Sequence, residues 1–140
     1  MKRNLITMML ATIVSLFALT SCEKEPADLI VGKWTMTEMS VSYDGITLNI
    51  NPSEMGRTVI YTFKADGTGH AYMYEDGESE EATFTYSLYT SGDKQILNIT
   101  SEGETLHYDI LTLDDNTLVM YQEETEDAGI ISGKVTFTRS

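Results

Sequence analysis

The sequence predicts an all-β fold, an antiparallel up-and-down barrel of about eight strands. Three observations predict it. Turn-forming pairs recur at short intervals: Asp44-Gly45, Asp66-Gly67, Asp76-Gly77, Gly92-Asp93 and Asp115-Asn116, with Glu102-Gly103 as a further turn. Such pairs tolerate the positive φ that tight hairpins require. The runs between them are rich in Thr, Val, Ile, Tyr and Phe, which fit a pleated, half-buried surface. Within those runs apolar and polar residues alternate, so one face is buried and the other wet. A consecutive series of hairpins that closes on itself removes the sheet edges that recruit foreign strands. A two-sheet sandwich is the alternative.

Taken in order, the chain opens with a segment outside that fold. Lys2 and Arg3 precede a run from Leu5 to Leu19 broken only by Thr7, Thr12 and Ser15. A basic start before roughly 7–15 apolar residues is the signal-peptide pattern. The run is short of the roughly 20 residues that span a bilayer. The chain turns polar at Cys22-Glu23-Lys24-Glu25-Pro26, as an exposed tether does. The division expected is a signal peptide over 1–21, a tether over 22–28 and one barrel domain over 29–140.

Ala27 to Val31 fits a helical turn before the first strand. Strands are expected at 33–43 and 46–50, then a single turn at 52–56 with Asn51 as cap and Pro52 in first position. In the strand at 58–64, Val59, Tyr61 and Phe63 share a face against Thr62 and Lys64. A strand at 68–75 precedes one at 82–90, where Phe84, Tyr86 and Leu88 oppose Thr83, Thr85 and Ser87. Strands follow at 95–100 and 105–112, the latter setting Leu106, Tyr108 and Ile110 against His107 and Asp109. The last two strands are 117–122 and 133–139. Between them Glu123 to Gly129 is acidic without apolar rhythm, which predicts a mobile loop.

The formal charge of −13 becomes −15 once a leader carrying Lys2 and Arg3 is removed. Such a surface repels nucleic acid and anionic membranes, and keeps a protein soluble. Cys22 is the only cysteine, so no disulfide can staple the domain and its own core must hold it. A monomer is the expected state.

Catalysis finds little support. His70 and His107 lie in strands among polar neighbours, and no G-x-S-x-G elbow is present. No catalytic residue and no cofactor is expected, and no phosphate-binding glycine motif occurs. No metal ligand is expected either. Glu75-Asp76-Gly77-Glu78-Ser79-Glu80-Glu81 is rich in carboxylates but lacks the spacing of a calcium loop, which needs roughly 6–8 oxygens. The aromatic residues are more suggestive, because tyrosine offers apolar area with a polar tip. The candidate pocket comprises Tyr61, Phe63, Tyr72, Tyr74, Phe84, Tyr86 and Tyr108.

Two resemblances add to this reading. Leu19-Thr20-Ser21-Cys22 resembles the lipobox of bacterial lipoproteins. That resemblance implies that Cys22 carries diacylglycerol, with acyl chains such as palmitate holding the protein in the membrane. It implies an outer-membrane lipoprotein, on the periplasmic or the cell-surface face; the acids after Cys22 resemble a surface-export signal. Further on, Gly32-Lys33-Trp34 resembles the Gly-x-Trp signature that starts the first strand of lipocalins. Phe63-Lys64-Ala65-Asp66-Gly67-Thr68-Gly69 resembles the F-x-x-D-G-T-G hairpin of small lipocalin-like lipoproteins, and Gly133 to Arg139 resembles their last strand. The chain is thus similar to the bacterial lipocalin-like lipoprotein family. The resemblance implies that Gly32, Trp34 and Arg139 form the closed end, with Arg139 stacked over the indole. It implies a cup that binds a small, partly apolar ligand. The alternative is a barrel filled by its own side chains, serving as an accessory module that contacts an envelope protein. Larger lipocalins run longer and carry a C-terminal helix; neither is expected here, and the resemblance then implies less room for a cavity.

Overall fold

The structure, a computed structural model, describes residues 25–126 and 129–140. The leader, Cys22 and its expected lipid lie outside the described residues. A short helix, α1 (Pro26–Ile30), leads into nine antiparallel strands. These are β1 (Gly32–Tyr43), β2 (Ile46–Ile50), β3 (Arg57–Phe63), β4 (Thr68–Glu75), β5 (Glu78–Ser91), β6 (Lys94–Ser101), β7 (Glu104–Leu113), β8 (Thr117–Glu126) and β9 (Gly129–Arg139). A 3₁₀ turn, Pro52–Met55, separates β2 from β3, and the Asn51 side chain caps it by accepting from the Ser53 amide at 3.1 Å.

Each strand pairs with the next, and β9 returns to β1. Eight strands, β1 and β3 to β9, therefore close an up-and-down barrel rather than a sandwich. β1 divides one of its edges: Gly32 to Thr35 pair with β3, while Met39 to Tyr43 pair with β2. Its other edge runs along β9. The upper ends of β2 and β3 thus lie on either side of a break in the wall.

Local chemistry sets the hairpins. Asp44-Gly45, Asp76-Gly77 and Glu102-Gly103 all take positive φ at both positions, the conformation that matches the twist of two-residue hairpins. At the opposite end of the barrel, the Asp66 carboxylate accepts from the Thr68 amide at 3.0 Å and from its hydroxyl at 2.6 Å.

Residues directly opposite one another in a ladder share a face, so register gives the interior. Its closed half is filled by Ile30, Trp34, Phe63, Leu97, Leu118 and Phe137, all fully buried. The chain meets the expected strands closely, with one correction. The described residues of the expected loop at 123–129 lie in strands: β8 continues to Glu126 and β9 starts at Gly129, with Glu124 opposite Ile131 and Thr125 opposite Ile130. β5 likewise starts at Glu78, within the acidic run. Near the open end strands project beyond the core, where carboxylates on either face stay in water.

Candidate functional site

The closed end is a clasp built by residues far apart in sequence. The Trp34 indole is fully buried and donates to the Ile30 carbonyl at 2.8 Å. The Arg139 guanidinium lies 4.2 Å from the indole centroid, a cation–π contact. Its remaining donors reach backbone carbonyls of Asp115 at 2.6 Å, Val31 at 2.9 Å and Leu29. Gly32 has φ +136°, and a Cβ there would sit 2.5 Å from Arg139 Nη1, so no larger residue fits without displacing the arginine.

Above the clasp the barrel is solid. Phe63 packs against Phe84 at 5.4 Å and against Tyr86 at 5.0 Å between ring centroids, both near edge-to-face. The Phe84 ring occupies the space a Gly69 side chain would need. Tyr86 donates to the Lys64 carbonyl at the closed end. Phe63, Phe84 and Tyr86 therefore build the floor of a cup rather than its wall. Tyr61 and Tyr108 face the interior above them, Tyr61 lying 5.1 Å from Phe137 and 5.8 Å from Phe84. Burial pushes both phenols above the ordinary tyrosine pKa; repulsion from an ionised Tyr61 pushes Tyr108 further. Both stay neutral and able to donate at physiological pH.

Tyr72 is corrected by register. Ala71 and Met73 share the face of Tyr61 and Val59, so Tyr72 stands on the outer face opposite Ile60 and Glu81. Tyr74 has the same outward parity, though it also borders the cavity of the cup.

That cavity, about 200 Å³, lies at the break in the wall where β2 and β3 part. Met36, Met39, Ile50, Val59, Tyr61 and Met73 line it, and Pro52 and the Arg57–Glu75 ion pair, 2.7 Å long, border it. A second cavity of about 290 Å³ shares Met73 and Glu75 and extends to Asp76, Glu78 and Glu80 at the mouth. The two are neighbours that meet at Met73 and Glu75, an apolar cup with an acidic hollow beside it at the mouth. A larger hollow, about 630 Å³, lies mainly on the outer face among Thr62, His70, Thr83, Thr85 and Thr100. It is a shallow hydroxyl-lined surface outside the barrel, so size alone does not make it the site.

The methionines and aliphatic residues of the cup escaped the aromatic-based expectation. Their signal was present in the β1–β2 hairpin, where Met39, Val41 and Tyr43 pair with Ile50, Leu48 and Ile46 on one apolar face. The histidines both face outward: His70 lies 3.7 Å from Glu81, and His107 contacts Asn98. Among the described residues no three His, Cys, Asp or Glu side chains gather to hold a metal ion.

A closed eight-stranded barrel sealed by a tryptophan–arginine clasp invites comparison with known families. A family model for the lipocalin-like domain matches residues 30–120. The chain belongs to this lipocalin-like family. Among solved structures, this lipocalin-like protein is similar to the siderocalin Ex-FABP at 18% identity and TM-score 0.46, covering 80% of this chain and 74% of that one. It is also similar to a bovine odorant binding protein, a deswapped triple mutant, at 14% identity and TM-score 0.47, with the same 80% and 74% coverage. No curated protein sequence matches it significantly.

Proposed function

We propose that this lipocalin-like protein is a binding module that holds a small, partly apolar ligand in the cup. One observation carries the reading: an apolar cavity of about 200 Å³ opens above a fully packed floor, with the Tyr61 ring at its base. Apolar walls with a few placed polar groups are the usual build of a small-ligand site. The neutral Tyr61 phenol supplies a directed hydrogen bond, while Met36, Met39 and Met73 give walls that adapt their shape. The volume falls below the roughly 300–1,000 Å³ of drug-sized pockets, so the ligand is small or protrudes from the mouth. The described residues that line the cup are those of a binding site, apolar with Tyr61 and the Arg57–Glu75 ion pair as its polar groups.

The same proposal places the barrel on a lipid anchor at Cys22, in the outer membrane, facing periplasm or exterior. The basic and apolar leader ending in Leu19-Thr20-Ser21-Cys22 supports it. The test is native mass spectrometry of residues 23–140, released gently from the native envelope. A stoichiometric small molecule retained in the gas phase supports the cup, and a bare protein counts against it.

A second reading has its own observation. On the β1–β2 hairpin Ile46 is 73% exposed and Leu48 60% exposed, on the free edge of the sheet. An exposed apolar face on an edge strand is a surface for a protein partner. An envelope polypeptide that co-purifies stoichiometrically, in place of a small molecule, selects this reading.

A further inference from the structure

The inner wall of the cup is graded row by row. The registers of β3, β4 and β5 place Phe63, Gly69 and Phe84 in the lowest row, then Tyr61, Ala71 and Ala82. Val59, Met73 and Glu80 form the third row, and Arg57, Glu75 and Glu78 the fourth. Polarity therefore rises from an aromatic floor to a charged mouth along a single face. The second row carries only methyl side chains on β4 and β5, which leaves space in front of the Tyr61 ring.

The charge of that mouth is one-sided. Arg57 is its one inward-facing cation among the described residues, and Glu75 holds it at 2.7 Å. Glu78 and Glu80 line the cavity beside Met73, and among the described residues neither forms an ion pair. The other described cations are elsewhere. Lys33, Lys64, Lys94 and Arg139 lie at the closed end, and Lys134 is exposed on β9, opposite Ser40 and Tyr121 on the outward parity. The apolar cavity thus meets, at Met73 and Glu75, a hollow lined by two carboxylates that form no ion pair among the described residues. A carboxylate-bearing ligand would bring a third negative group to them, whereas an ammonium would supply the missing partner.

We infer that the cup selects amphiphiles with a cationic end: an ammonium group meets Glu78 and Glu80, and the apolar body lies against Met73, Val59 and Tyr61. This rests on the binding-cup reading above and adds the sign of the ligand's charge. An apolar body alone binds by burial, which is indifferent to sign. The carboxylates convert that burial into discrimination between head groups.

The test compares octylamine, octanol and octanoate, identical in chain length, titrated calorimetrically at neutral pH and low salt into residues 23–140. The expected order is octylamine tightest and octanoate weakest. The double substitution Glu78→Gln and Glu80→Gln, both at exposed positions that leave the core intact, should weaken octylamine by about tenfold. It should weaken octanol far less than octylamine, and high salt should erase the preference in the native protein. Equal affinity for all three probes, or an unchanged octylamine affinity in the double variant, overturns the charge selection while the cup stands. If none of the three binds, the cup reading fails together with this one.

Discussion

At the scale of single residues, Trp34 and Arg139 carry the closed end. Trp34→Ala removes a fully buried indole and should cost about 3–5 kcal/mol in denaturant unfolding. Arg139→Lys should also destabilise, because an ammonium cannot serve three separate carbonyls while lying flat on the indole. The buried phenols give a pH signature with a definite sign. Tyr61 and Tyr108 have folded pKa values above their unfolded ones, so their contribution is complete below pH about 10 and is lost as pH rises through the folded values. Spectrophotometric titration should show these tyrosines ionising after the exposed ones, and Tyr61→Phe should remove one late step. The clasp was legible because Gly32-Lys33-Trp34 and Arg139 sit where the family motif puts them. The orientation of Tyr72 was not. A period-two pattern separates two faces, but with tyrosines on one and Ala71 and Met73 on the other, apolarity does not say which points inward. Pairing to Tyr61 and Val59 decides it.

At the scale of elements, hairpin chemistry did most of the specifying. The Asp-Gly and Glu-Gly pairs fixed the turns at the open end, and the strands between them followed. What could not be read was how far strands project past the core. The acidic stretches at 78–81 and 123–126 read as loops by composition, yet pair in register because neither face has to be buried. Gly69→Ala tests the packing of the β4–β5 ladder: its Cβ would fall 2.2 Å from the Phe84 ring and 2.8 Å from the Thr62 carbonyl oxygen. Overpacking of this kind should cost about 1–3 kcal/mol and broaden the aromatic core resonances in NMR spectra. By contrast Leu48→Ser lies on the exposed face of β2 and should shift stability by less than about 0.5 kcal/mol. If that face continues the wall of the cup, the same variant should weaken octanol binding; unaltered binding would assign the face to a protein partner.

At the scale of the whole molecule, closure joins the two ends of the chain. β1 pairs with β9 along nine residue positions, and Arg139 Nη2 donates to the Leu29 carbonyl 110 residues away. The helix α1 sits at that same end, and the cup opens at the other. Cys22→Ala should move the protein from the membrane fraction to the soluble one, and retention through an intact leader would sink the lipid-anchor proposal. The clasp has a temporal consequence as well. The first strand gains its β9 partner only when the last strand exists, so the barrel cannot close before β9 is made. Closure of the barrel therefore waits for the strand that carries Arg139, a pairing across most of the chain that is slow to form.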